Sequence, residues 1–473
     1  MLVGSFSAGD FLGHDFLDSS HNPIGVLLIG GKNKRVNYDT IFYWHPSCLL
    51  LPSWKIFRAN SLESKQKIVP MNPIKSHQQQ ISAVFLGGLL AVSTLVTKAA
   101  SVTIYKTNTP TMSSSGDWTT ASGSGNFVAP AVGNIGRFDS TISAANLGAL
   151  NLGGNVALDE IQFVNNLNGP ATIANIGGYT LTLGSIVPAG GTYGIDMSTA
   201  NANVTINCNL ALGTNGNWSV GSAQTLTING VLSGTSGGGF ILVNGGTVNL
   251  NGGGALGGGT VAANYFSASY GTLNVNSGTL TVSPQYRLNV GWNASPSYLN
   301  ISNATLVMSA NTEIDVGAGY NGAQTSGVGV INIGGGAGTP GLFNLGTTTG
   351  TFKLGGVTGG TGSGTINLNS YGTLATVRSI TANTLANSAA VNFNGGTLKL
   401  TGNQANIFGS GVTVTLNSAG GTIDCQTFSG TNAYAITGTG GLTKLGSGVL
   451  ALTAANSYSG GTTVSAGKLI TPT

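Results

Sequence analysis

Charge is scarce in this 473-residue chain: Asp, Glu, Lys and Arg together make up 6% of it. An ordinary soluble domain carries about 25%. A charged, solvated, disordered chain is excluded as well, because 41% of the residues are hydrophobic. The formal charge of +4 is local. Residues 1–100 hold 9 Lys/Arg against 5 Asp/Glu, which leaves 8 of each for residues 101–473. The long body therefore has no basic footprint, and no nucleic-acid partner is expected. Histidine is missing from it altogether, since His14, His21, His45 and His77 all precede residue 80. That excludes His-based serine or cysteine triads in the body. Cysteine is almost missing: Cys48 lies near the start, and Cys208 and Cys425 stand far apart. Such spacing is neither a zinc framework nor a disulfide scaffold, so no metal or cofactor is expected.

The abundant residues are glycine, 77 of them, with Ser, Thr and Asn around short Val, Ile and Leu runs. This is the composition of many short strands joined by tight turns. One phrase recurs through the body: Gly-Gly or Ser-Gly, Thr, apolar-polar-apolar, then Asn or Ser and Gly. It reads NGGTVNLNG at 244–252, SYGTLNVNSG at 269–278, GSGTINLNS at 362–370 and NGGTLKLTG at 394–402. Within it, Leu398 and Leu400 alternate with Lys399 and Thr401, so one face of each strand is apolar. A single four-residue strand cannot bury that face alone, but strands stacked roughly 4.8 Å apart can share it. Asn249, Asn274, Asn276, Asn367, Asn369, Asn392 and Asn394 are then expected to bond to one another along the stack. The phrases recur roughly every 20–30 residues. The expected fold is all-β, a right-handed parallel β-helix following an N-terminal signal segment, with about 15–18 rungs over about 70–90 Å. A propeller would need constant blades, and a sandwich would need clearer boundaries. On such a rod Cys208 and Cys425 lie too far apart to bridge, and each is expected as a buried free thiol. Helical patterning is nearly absent beyond residue 100, and 381–391 is the least strand-like stretch.

The N-terminal hundred residues read differently. From Met71, Lys75 precedes an apolar run over Ile81–Val96, and Thr97, Ala99 and Ala100 follow as small residues at a cleavage site. This is the layout of a secretory signal peptide, and the run is short of the roughly 20 residues needed to span a bilayer. A signal sequence acts at the start of a chain, so residues 1–70, which show no strand rhythm, are expected to be an upstream extension and Met71 the true start; the alternative is an anchored protein with residues 1–70 as a cytoplasmic tail. The expected organisation is 1–70 extension, 71–100 signal peptide, 101–235 N-terminal solenoid and cap, 236–437 degenerate repeats, and 438–473 a final repeat.

That final stretch carries a resemblance. Gly440, Gly441, Leu442, Thr443, Lys444, Gly446, Gly448, Leu450 and Leu452 are followed by Asn456, Tyr458, Gly460, Gly461, Thr462, Thr463, Val464, Gly467 and Leu469. In this order they resemble the autotransporter-associated β-strand repeat of bacterial passenger regions. The stretches 194–213 and 218–234 are similar to what precedes such repeats, and 117–139 more loosely to their opening. The resemblance implies export, a parallel β-helix, secretion or cell-surface display, and no catalytic residues. No outer-membrane barrel or sorting helix follows in this sequence, so the expectation is a fragment of a longer protein, a released protein, or one held by a separate translocator or envelope anchor.

Candidate chemistry is sparse. Glu313 and Asp315 stand at i and i+2 and share one strand face, where they suit a cation or an acid/base pair; the simpler reading is a solvent-facing strand edge. Adjacent Asp159 and Glu160 read as surface. Tyr265, Phe266, Tyr270, Tyr286 and Trp292 form a candidate platform for sugars, with turn packing as the simpler role. The binding candidates are thus Glu313, Asp315, Tyr265, Tyr270 and Trp292. The functional expectation is a non-enzymatic structural or adhesive surface rod, with surface glycans or a neighbouring or host cell surface as partner. The alternatives are a polysaccharide-active β-helix enzyme and a non-catalytic glycan-binding module.

Overall fold

The computed structural model describes three strand backbones before residue 100, and residues 102–472 apart from 185–193, 214–215, 235–239, 244, 258–264, 269, 285–286, 293–294, 310, 318–326, 336–337, 339 and 357–360. The chain divides into two compact units, Met1–Leu95 and Val96–Thr473. In the first, Gly13–Leu17, Pro23–Leu28 and Ile41–Trp44 pair as an antiparallel sheet. Strands therefore occur where no strand rhythm was read. The signal segment 71–100, with Ala99 and Ala100, lies outside the described residues, as does Cys48.

The second unit is a parallel β-helix. Short strands follow one another around three faces, and each strand pairs in parallel with its counterpart one turn on. The first face runs from Val102–Lys106 through Asn134–Phe138, Glu160–Phe163 and on to Ile380–Ala382; the second from Leu150–Asn151 to Ile436–Gly438; the third from Val156–Leu158 to Thr462–Val464. Their sheets contain 13, 12 and 13 described strands. The first face also continues past Ile380–Ala382: Ile380 pairs in parallel with Phe408, Gln404 pairs in parallel with Gly430, and Gly430–Asn432, Val449–Leu452 and Lys468–Ile470 then stack in parallel. Thirteen strands in register extend about 58 Å, at roughly 4.8 Å per step. The rungs are uneven in length, and the corners are the source of this. Equivalent asparagines are 22 residues apart between Asn207 and Asn229 but 35 apart between Asn332 and Asn367. The extra residues go into corner loops and leave fewer turns per length of chain.

The core is built by register. On the second face Leu226, Val248, Leu273, Leu299, Ile331, Ile366, Val391 and Val414 occupy one inward column, each pair being direct partners on adjacent strands. All are fully buried or nearly so. Each such side chain contributes about 1.5–3 kcal/mol of transfer free energy. The period-2 alternation puts polar residues on the outer side, as TLKL over Thr397–Leu400 does, with Leu398 and Leu400 fully buried. Cys208 and Cys425 sit in inward positions as buried free thiols, and burial pushes the Cys208 thiol up to about 11.

The start of the stack is closed. The hairpin Trp118–Ala121 and Ser124–Phe127 pairs antiparallel beside Val102–Lys106 and ends the first face. Trp118 is fully buried and its indole N–H donates to the Met112 carbonyl at 2.7 Å. Lys106 points inward beneath it and donates to the Thr109 carbonyl at 2.9 Å and the Thr109 hydroxyl at 2.7 Å. Among the described residues the body's one α-helix is a single turn, Ala144–Leu147, capped by Ser143. The stretch 381–391 is strand after all at both ends, finishing Ile380–Ala382 and beginning Ser388–Asn394. Its Ala and Asn lack β propensity, but pairing with neighbours on both rungs overrides that.

Candidate functional site

The first face breaks the simple alternation. In its strand Glu313–Val316, Ile314 and Val316 point inward as expected, yet outward Asp315 is also fully buried. The same holds for Asn289 in the preceding strand Arg287–Val290. Asn289 and Asp315 are direct register partners, and so are Arg287 and Glu313. The next strand, Phe352–Leu354, sets Lys353 beside Asp315. Four charged side chains from three rungs thus meet on one outer face.

Arg287 holds both acids: its Nη1 lies 3.0 Å from an Asp315 oxygen and its Nη2 lies 3.6 Å from a Glu313 oxygen. Lys353 donates to Glu313 at 2.7 Å, and the Thr351 hydroxyl donates to the same oxygen at 3.1 Å. Arg287, Glu313 and Lys353 are each about a quarter exposed, with side-chain exposures of 29%, 23% and 29%, so they form a rim over a buried floor of Asn289 and Asp315. The two acids titrate apart. Burial pushes the Asp315 carboxyl up to about 7, and the Glu313 charge adds to this against Arg287 and Lys353. Burial acts on Glu313 in the same sense, but the Lys353 hydrogen bond and charge, then Arg287 and Thr351, outweigh it and hold Glu313 below its ordinary value.

The reading of Glu313 and Asp315 as a solvent-facing edge is therefore corrected: they share a face, but Asp315 lies at its floor. The surface reading of Asp159 and Glu160 is corrected too, since both are 1% exposed. Burial pushes Glu160 up to about 7; the nearby Asp196 and Asp159 charges add to this and the Gln162 hydrogen bond opposes it. Of the aromatic candidates, Phe266 is a core side chain, 3% exposed. Tyr270 and Trp292 are half-buried; Tyr286 and the Tyr265 side chain lie outside the described residues. Sequence reasoning missed Arg287, Asn289 and Lys353. Their distances along the chain from Glu313 and Asp315 follow the uneven rung length, and no local motif announces them.

A second feature is the outer surface itself. On the second face Asn249, Asn274, Asn300, Asn332, Asn367 and Asn392 form a ladder in which each amide donates to the Asn one rung below, at 2.7 to 2.9 Å. The Asn249 amide, at its foot, donates to the Thr227 hydroxyl at 3.3 Å. At the neighbouring corner a second ladder joins Asn207, Asn229, Asn251 and Asn276, and a third joins Asn369, Asn394 and Asn417. On the third face Thr373, Thr397, Thr422, Thr443 and Thr463 stand in one outward column. Beside it a shallow trough of about 240 Å³ is lined by Ser418, Thr422, Thr443, Thr463 and paired glycines such as Gly420 and Gly421.

The repeat residues build the last rungs of this surface. Lys444 points inward in the column continuing Leu398 and Ile423, is fully buried, and donates to the carbonyls of Leu445, Gly446 and Ala466 at 2.8, 2.6 and 3.0 Å. Ala466 belongs to the following rung, so one ammonium ties two turns together. The motif glycines serve two purposes. Gly446 has φ of +77°, which a side chain disfavours. Gly440 has no such φ; there a Cβ would sit 1.9 Å from the Asn417 carbonyl oxygen one rung below.

A family model described as Passenger-associated-transport-repeat matches residues 442–470. No curated protein and no solved structure matches the chain. No described helix is long and apolar enough to cross a membrane. That repeat is stacked on the same columns as the rungs before it, so the chain carries a passenger-associated repeat as part of its solenoid.

Proposed function

We propose that the chain is an exported, non-catalytic rod that acts structurally or adhesively at the bacterial surface or in the surrounding medium, directed there by the signal segment at 71–100. The observation that carries this reading is the outer surface. Asparagine and threonine ladders cover long sheet faces with uncharged hydrogen-bonding groups, laid over a continuous apolar column. Such a face suits contact with surface glycans or a neighbouring cell, with a separate translocator or anchor holding the rod in place. The passenger-type repeat favours the same destination. Fractionation of the source cells tests this: the product is expected at the surface or in the medium, shortened by a cut near Ala99 or Ala100. A cytosolic product retaining Ile81–Val96 contradicts it.

A second reading, a polysaccharide-active enzyme, is favoured by one observation. Glu313 and Asp315 have environments that push their pKa values apart, which is how acid and base roles are divided in carboxylate pairs. Turnover of a polysaccharide panel by the full chain, abolished by Glu313→Gln or Asp315→Asn, would establish that reading; binding to an insoluble glycan with no turnover would favour adhesion.

A further inference from the structure

Charge is distributed unevenly over the three faces of the solenoid. Outward positions on the first face hold Arg137, Asp196, Asp315 and Lys353, and those on the third hold Lys399 and Asp424. The second face differs. One outward column runs in register from Thr172 through Asn300 to Thr437 over eleven strands, and another runs beside it from Thr225 through Tyr298 to Thr413 over eight. Every member of both columns is Thr, Asn, Tyr, Val or Ala, so neither holds a charged group. Eleven strands extend about 48 Å at roughly 4.8 Å per step, and the two columns with the asparagine corner beside them are about 20 Å wide.

Three properties fit this face for contact with a partner. Its area, about 900 Å², matches the roughly 800 Å² that each side contributes to a stable interface. Charge, which interface cores exclude, is absent. The ladder already pairs one amide donor and the carbonyl of each inner asparagine, such as Asn300, which lowers the cost of taking the face out of water. An anchor is present too. Tyr298, 36% exposed, is the one aromatic side chain in the columns, with Val330 directly beside it. Its strand is the sixth of the eleven from either end. Tyrosine is enriched among the residues that dominate binding energy, and these cluster at the geometric centre of an interface.

The repeat points to the partner. Side chains on this face recur at every rung, so a surface that meets them at each step needs the same spacing and no charge. The second face of another copy has both. A glycan chain instead calls for a row of rings to stack on, and the columns hold one. We propose that the second face is a self-association surface, through which two copies of the chain pair face to face as a dimer. The contact is isologous, with the same patch on both copies. Full overlap of the two faces sets each Tyr298 against the middle rung of the other copy. The pairing goes beyond the rod reading and does not depend on export, because it needs only the folded solenoid.

Sedimentation equilibrium of the full chain over a range of concentrations tests it. A reversible dimer is expected, and about 0.5 M salt should leave it in place, because no charge pair holds it. Thr272→Lys and Thr365→Lys put like charges into the covered face and are each expected to weaken dimerisation ten-fold or more. Lys399 shows that a rung accepts an outward lysine, so both variants are expected to keep the far-UV spectrum of the parent. Should they fail to fold, Tyr298→Ala, which truncates an exposed side chain, carries the test. Thr397→Lys, on the third face, is expected to leave the dimer unchanged. A chain that is monomeric at every concentration overturns the proposal, as does a dimer dissolved by salt or indifferent to the second-face substitutions. A monomer held on an insoluble neutral glycan and released by Tyr298→Ala would assign the face to a glycan and overturn it equally.

Discussion

The most instructive residue is Lys444, a cation in an apolar column. Its ammonium has three carbonyl partners and is fully buried. Lys444→Met keeps the stem and removes the donors, leaving those carbonyls unmade; a loss of about 2–3 kcal/mol in unfolding free energy is expected, read by denaturant titration. Asp315 gives a pH prediction. Its carboxyl is raised to about 7 in the fold from an ordinary value near 3.8, so the folded state holds the proton more tightly. Its contribution is therefore favourable at low pH and is lost as pH rises from about 4 to about 7. Glu313 runs the other way, since its value is lowered and its stabilisation is lost on acidification. Asp315→Asn is expected to flatten the decline in stability between pH 4 and 7 by on the order of 3 kcal/mol, measured as melting temperature against pH. An unchanged profile would mean that Asp315 is not buried as described.

At the scale of the element, the strand phrase was legible because its two causes are local. Alternation in TLKL sets which side chains face in, and the asparagine between each apolar pair announces a ladder. The sequence did not reveal where the alternation fails. Asn289 and Asp315 occupy outward positions and are nonetheless buried, a consequence of neighbours that the strand's own residues do not encode. The glycines were legible as turn formers only in part. Gly446 fits that reading, whereas Gly440 is required by the rung packed against it. Gly440→Ala should therefore destabilise more than an ordinary Gly→Ala change, which is roughly neutral or stabilising at an unstrained site; equilibrium unfolding of the variant checks this. Within the ladder, the Asn300 amide donates to Asn274 and its carbonyl accepts from Asn332. Asn300→Ala and Asn332→Ala are expected to cost about 1 kcal/mol each and less than their sum together, because one shared bond is counted in both.

For the whole molecule, the parallel solenoid was readable and the chain length of each rung was not. Strand-only patterning and the recurrence of one phrase pointed to stacked rungs, and Cys208 and Cys425, expected free on such a rod, are free. The number of rungs depends on how much chain each corner takes, and corners of Gly, Ser and Thr have no periodicity to measure. The candidate site was the least legible for the same reason: Arg287, Glu313 and Lys353 become neighbours only once the unequal rungs are wound. Because each rung touches only its neighbours, stability is a sum of local terms with nearest-neighbour coupling. A substitution such as Leu299→Ala, removing a buried side chain from the middle of a column, is expected to cost about 2–5 kcal/mol. Hydrogen exchange should show protection lost first in the rungs flanking it.

Rung-by-rung stacking can be measured as a distance. Thr227 and Thr415 are 188 positions apart in sequence, yet they stand in one outward column with Asn249, Asn274, Asn300, Asn332, Asn367 and Asn392 between them. With the buried native thiols changed to Ala, spin labels on Thr227→Cys and Thr415→Cys should give a narrow dipolar distance distribution. Its centre is expected near 34 Å, seven steps of roughly 4.8 Å. Moving the second label to Asn332→Cys should shorten it to about 19 Å. A broad distribution, or two distances that do not scale with the number of rungs, would contradict the parallel β-helix.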